Sequence, residues 1–104
     1  MDRIEKLKEY IKSAQKDSFL QHALALEYIK SGNDAEARKL FVEILLREPT
    51  YVGSYYHLAK LLERTGEKDK AIKIYEKGMK EAKRAGDNQS FNELQGAYEE
   101  LSEP

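Results

Sequence analysis

The chain contains no cysteine among its 104 residues. That removes a disulfide framework, a thiolate zinc site and a cysteine nucleophile together. Two prolines and six glycines are too few for a collagen-like or low-complexity chain. With 40% apolar and 36% charged residues the composition is that of a folding chain, not a disordered one. Neither sign of charge dominates: 18 Lys and Arg stand against 19 Asp and Glu, so no bulk attraction to nucleic acid or anionic lipid is expected. Long apolar runs are missing as well. The opening Met1-Asp2-Arg3-Ile4-Glu5-Lys6 has no signal-peptide core, and no stretch approaches the length of a membrane span. These absences predict one small domain over residues 1–104, working without a membrane in a reducing compartment, the cytoplasm.

What is present is a repeat. Sliding the chain along itself until Leu24 falls on Leu58 also sets Ala25 on Ala59, Tyr28 on Leu62 and Gly32 on Gly66. Further along, Ala37 meets Ala71, Phe41 meets Tyr75 and Leu45 meets Met79. Large and small positions stay in phase, which marks a solenoid built from stacked units. Each unit splits at its glycine into two helical halves. Leu20, Leu24, Ala25 and Tyr28 recur at three- and four-residue steps before Ser31-Gly32-Asn33 stops the run. Asn33, with Glu36 three residues later, resembles a capping box opening the next helix. That helix carries Ala37, Leu40, Phe41, Ile44 and Leu45 on one stripe, and Pro49 closes it. The second unit repeats the plan. Tyr55, Leu58, Ala59 and Leu62 come before Thr65-Gly66, and Ala71, Ile74, Tyr75, Gly78 and Met79 after it. Helices are expected near residues 18–31, 34–47, 51–65 and 68–84.

Both ends extend the repeat, the first at the same offset and the last at an offset of 36, with two extra residues around Gly86-Asp87. At the same offset Ile4, Leu7 and Ile11 fall on Arg38, Phe41 and Leu45, so residues 3–15 are expected to form the second helix of a half-repeat. Phe91, Leu94 and Tyr98 continue the first-helix pattern, and residues 88–101 are expected to form a capping helix. Residues 87–104 carry five acidic side chains and no basic one, the polar outer face a terminal unit needs.

The pattern resembles the tetratricopeptide repeat, a helix–turn–helix unit of about 34 residues with W-x2-L-G-x2-Y, A-x3-F and P signatures. The first unit, residues 18–51, shows Gln21-x2-Leu24-Ala25-x2-Tyr28, Ala37-x3-Phe41 and Pro49. The second, residues 52–85, shows Tyr55-x2-Leu58-Ala59-x2-Leu62 and Ala71-x3-Tyr75. It departs from the family at Lys83, which stands where proline is usual and suggests that its second helix runs to about Ala85. Gln21 departs at the aromatic position. The resemblance implies an all-α fold, a right-handed superhelix of about six antiparallel helices whose first helices line a concave groove. It implies a non-catalytic protein-interaction module that takes a peptide or a partner's helix there. Carried onto this chain, the groove residues are Phe19, His22, Leu26, Ile29 and Lys30 in the first unit, with Tyr56, His57, Lys60 and Arg64 in the second and Asn92 in the last helix. The helix over 18–31 is apolar nearly all round, so Phe19, Leu26 and Ile29 are either an exposed patch or covered by this chain. Lys60 and Arg64, one turn apart, could orient a carboxylate. The chaperone-tail-binding branch of the family uses a lysine–asparagine clamp whose positions here hold His22, Leu26, His57, Gln89 and Glu93. None matches, so chaperone tails are not the expected ligand.

Catalytic residues, cofactors and metals are not expected. His22 and His57 lie in no HxxxH or HExxH spacing, the serines sit in no G-x-S-x-G elbow, and no glycine-rich phosphate loop is present. Two alternative readings stay open. A homodimer could form through the same apolar patch. Weak nucleic-acid binding could use the stripe Lys70, Lys73, Lys77, Lys80 and Arg84, although residues 51–86 hold only nine basic against five acidic side chains and Asp69 and Glu76 partly neutralise it.

Overall fold

In the computed structural model, which describes residues 2–103, every regular element is a helix. They are α1 (Arg3–Ser13), α2 (Ser18–Lys30), α3 (Asp34–Arg47), α4 (Gly53–Arg64), α5 (Lys68–Ala85) and α6 (Asn88–Ser102). Among the described residues the fold is all-α, as expected. The helices divide into two compact units, one ending at Glu48 and the other starting at Pro49.

Local chemistry sets the boundaries. Asp2, Asp17, Asn33 and Asp87 each accept a hydrogen bond from a backbone N–H three residues on, at 2.8, 3.1, 3.3 and 3.0 Å. Each satisfies a donor that a helix start leaves unpaired. Gly32 and Gly66 both take φ of +79°, the left-handed turn that ends α2 and α4. The following N–H groups of Asn33 and Glu67 reach back to Tyr28 and Leu62 at 2.8 and 2.9 Å. That is one helix stop used twice, at the same place in each repeat. α5 does run on to Ala85, where Gly86 ends it in the same left-handed way at φ +73°. At the end of α3, Glu48 is already out of helical geometry (φ −138°, ψ 76°), as the ring of Pro49 requires of the residue before it. α1 stops at Ser13, short of the expected residue 15: Ala14 turns to φ −143° and its N–H bonds Ile11 at 3.1 Å.

In the first unit α2 packs on both α1 and α3. Its core is Leu7, Leu24, Ala25, Ala37, Phe41, Ile44 and Leu45. Ala25 and Ala37 are wholly buried, and their small side chains suit a close approach of α2 and α3. Gln21, at the position where the family has an aromatic residue, is only 3% exposed. Its burial is satisfied from α3: Arg47 donates to Gln21 Oε1 at 2.5 Å and to Ser18 Oγ at 2.8 Å. The same contacts join the end of α3 to the start of α2, so the pair is antiparallel.

In the second unit α5 packs between α4 and α6. The core holds Tyr55, Leu58, Ala59, Leu61, Leu62, Ala71, Tyr75, Ala82, Leu94 and Ala97. Ala59 and Ala71 repeat the close pair of the first unit. Ile74 and Met79, read as core from the pattern, are half-buried. Gly78 is where three helices meet. A Cβ there would lie 2.7 Å from Tyr55 Cβ and 3.1 Å from Leu94 Cδ1, so hydrogen is the side chain that fits. Tyr55 takes the aromatic position and donates to the Pro49 carbonyl at 2.6 Å. Glu81 holds in the second repeat the place that Arg47 holds in the first, and is 7% exposed. Arg84 donates to its Oε1 at 3.0 Å, while its buried Oε2 has no hydrogen-bond partner.

Candidate functional site

The expected site residues lie on first-position helices, and each unit holds its own set. On α2, Phe19, His22, Leu26 and Ile29 follow one another at three- and four-residue steps, and Lys30 lies four after Leu26, which places all five within about 100° of arc on one stripe. Phe19 is 70% exposed. Leu26 and Ile29 are half-buried, so the first-unit patch is partly covered and partly open. His22 is also half-buried, with its ring edge-on to Phe41 at 5.6 Å. Lys30 is exposed and sits 3.7 Å from Glu27, which also accepts from Arg3 of α1 at 2.9 Å.

On α4, Tyr56 and His57 are half-buried, with their rings edge-on at 5.5 Å. The Lys60 ammonium lies 5.8 Å from the centre of the Tyr56 ring and 3.6 Å from Glu63 Oε2. Its charge is therefore shared within the helix before any ligand arrives. Glu63 is the hub of this face, because the Tyr75 hydroxyl of α5 also donates to it in a very short hydrogen bond. Burial, and then that bond, hold the Tyr75 hydroxyl far above the ordinary phenol range. His57 is held below the usual imidazole range, chiefly by burial; Arg64 adds to the effect, while Glu93 of α6 opposes it. Arg64, Asn92 and Glu93 are exposed. On α4 the arrangement can present aromatic surface beside a lysine and an arginine. That chemistry suits recognition of a segment carrying apolar and acidic side chains.

The basic stripe of α5 is interrupted by acidic partners. Lys70 bonds Glu67 at 3.1 Å, Arg84 bonds Glu81 at 3.0 Å, and Glu76 accepts from Tyr98 of α6 at 3.1 Å. Lys77, Lys80 and Arg84 line a cavity of about 470 Å³ together with Glu76 and Glu81, so the field there is mixed in sign. Among the described residues no three His, Cys, Asp or Glu side chains gather as a metal site, and no helix is long and apolar enough to cross a membrane.

Sequence reasoning missed Glu63 as a hub and missed the exposed apolar side chains of Tyr10, Val42 and Leu46. A signal for the last two was available. Their counterparts in the second repeat are Glu76 and Lys80, so the fold accepts charge at those positions.

The chain matches the tetratricopeptide-repeat family model over residues 28–90. A tetratricopeptide repeat domain protein from Salinibacter ruber is 41% identical to it. Its solution structure superposes with a TM-score of 0.80, covering 83% of this chain and 87% of that one. The crystal structure of the same domain gives a TM-score of 0.79, covering 82% and 94%. The solution structure of a Bordetella parapertussis protein, 24% identical, covers 98% of this chain and 89% of that one at a TM-score of 0.84, and bears on the fold alone. No curated protein shows significant similarity to the chain.

Proposed function

The chain belongs to the tetratricopeptide-repeat family, whose members generally mediate protein–protein interaction, and we propose that it is a non-catalytic binding module that takes a peptide or a partner's helix on its first-position helices. On α2 the contact is apolar, through Phe19, Leu26 and Ile29. On α4, Tyr56 and His57 provide aromatic surface, and Lys60 and Arg64 orient an acidic or C-terminal group. His22 and Lys30 belong to the α2 stripe, and Asn92 adds a polar side chain on α6. The observation that carries this reading is Phe19, an aromatic side chain 70% exposed on the same stripe as two half-buried aliphatic ones. Such a stripe, flanked by charge, is what a partner desolvates on binding. The lack of cysteine is in keeping with work in the cytoplasm.

Affinity capture with mass spectrometry tests the reading. Wild type is compared with Leu26→Arg and with Lys60→Glu/Arg64→Glu, all matched for helical content. The partner recovered by wild type is lost with Leu26→Arg and weakened by the double charge reversal. Equal recovery by all three proteins would overturn the assignment.

A further inference from the structure

The outer face of α3 carries an apolar pair that the fold does not require. Val42 is 41% exposed and Leu46 80% exposed. They share a stripe with Ala35, Lys39 and Glu43, within about 100° of arc. The internal repeat supplies the control. At the corresponding positions α5 has Glu76 and Lys80, both exposed, and that helix forms equally well. The buried stripe of α3, Ala37, Phe41, Ile44 and Leu45, is complete without Val42 and Leu46. Leu46 adds little to the packing of its own unit and Val42 only part of its surface, and neither lies on α2 or α4, where the binding faces proposed above are found.

The charges along this stripe say what covers it. Lys39 stands before the apolar pair and Glu43 within it. Two α3 helices laid side by side in parallel would oppose lysine to lysine and glutamate to glutamate. Laid antiparallel about a two-fold axis near Val42, the stripe is complementary to itself. The two Val42 side chains meet at the centre, Leu46 packs on the aliphatic stem of the second copy's Lys39, and each Lys39 ammonium reaches the other copy's Glu43. Lys39 is well placed to do so, since its side chain is 74% exposed and its present partner, Glu36, lies at the long distance of 3.5 Å. The geometry points to a second copy of this chain as the occupant, in an antiparallel α3–α3 dimer with an isologous interface. One helix face is less than the roughly 800 Å² per partner of a tight complex, so the dimer is weak and concentration-dependent.

Sedimentation equilibrium from about 10 μM to about 1 mM tests this. The weight-average mass rises from 12.0 kDa towards twice that value. Val42→Glu/Leu46→Lys, which installs the residue types of the second unit, keeps the circular dichroism of wild type and weakens association more than about tenfold. Lys39→Glu and Glu43→Lys each weaken self-association. Mixed together they form a heterodimer tighter than either homodimer, because both contacts between positions 39 and 43 across the two-fold axis then join opposite charges. A chain that stays at 12.0 kDa throughout overturns the proposal. So does a dimer that survives Val42→Glu/Leu46→Lys but is lost with Leu26→Arg, or a mixture of the two charge variants no tighter than its components.

Discussion

Replacing Gly78 by alanine tests the packing of the second unit at its tightest point. The added Cβ would sit 2.7 Å from Tyr55 Cβ and 3.0 Å from Tyr55 Cγ. Carbon atoms in contact prefer about 3.5–4.0 Å, so the shortfall is near 1 Å. Tyr55 Cβ is one bond from the backbone of α4 and no rotamer removes it. The helices must therefore separate, at about 1–3 kcal/mol for overpacking. Against this, alanine gains about 1 kcal/mol over glycine inside a helix. Gly96 of α6 isolates the two terms. It too lies inside a helix, but a Cβ there meets nothing within 4 Å. Gly96→Ala is therefore expected to stabilise by about 0.8–1 kcal/mol. Gly78→Ala is expected to fall about 1–3 kcal/mol below it, the overpacking cost alone. In a domain of this size each kcal/mol moves Tm by about 4–8 °C, so thermal melts followed by circular dichroism resolve the pair. If Gly78→Ala proves as stable as Gly96→Ala, the three-helix contact at Gly78 is wrongly drawn.

Other perturbations follow from polar groups in the cores. Glu81→Leu is expected to stabilise by about 1–2 kcal/mol in urea titrations, because it removes a buried carboxylate oxygen that nothing hydrogen-bonds. No gain would mean that Glu81 is better satisfied than its surroundings indicate. Arg47→Ala is expected to cost about 1–3 kcal/mol, since it leaves buried Gln21 without its donor. Its melting temperature should fall more than that of Lys39→Ala on the same helix. His57 is held below its ordinary value of 6.5, so on acidification the unfolded chain takes up its proton first. Stability present above about pH 6.5 is then lost as pH falls through the folded value, and His57→Gln should flatten that slope in unfolding free energy measured from pH 7 to pH 5. At the alkaline end, burial pushes the Tyr55 hydroxyl up to about 12 from 10.0. The unfolded chain ionises first there, so stability declines as pH rises from 10 through 12. Tyr55→Phe should lessen the decline in alkaline melts.

The parts legible in the sequence are those that depend on one residue type at one place. Gly32 and Gly66 mark left-handed helix stops because other side chains rarely adopt that turn, and Ala25, Ala37, Ala59 and Ala71, all wholly buried, mark close helix pairs because a small side chain lets two helices approach. The repeat phase carried these positions from unit to unit, and with them most helix boundaries to within a residue or two. Polar partners could not be read this way. Arg47 serving Gln21, or Glu63 gathering Tyr75 and Lys60, depends on how far a flexible side chain reaches across a helix pair, and spacing does not record that. Apolar surface was legible only in part. Leu26 and Ile29 fall on a stripe that their own unit covers halfway, and Val42 and Leu46 lie off the core stripe of their helix and stand out only when each is set beside its charged counterpart in the second unit.

Amide chemical-shift mapping during titration with a captured partner segment tests the binding account most directly. The largest perturbations are expected on α2 at Phe19, Leu26 and Ile29 and on α4 at Tyr56, Lys60 and Arg64. Perturbations centred instead on the outer faces of α3 and α5, with those residues of α2 and α4 unmoved, would contradict it.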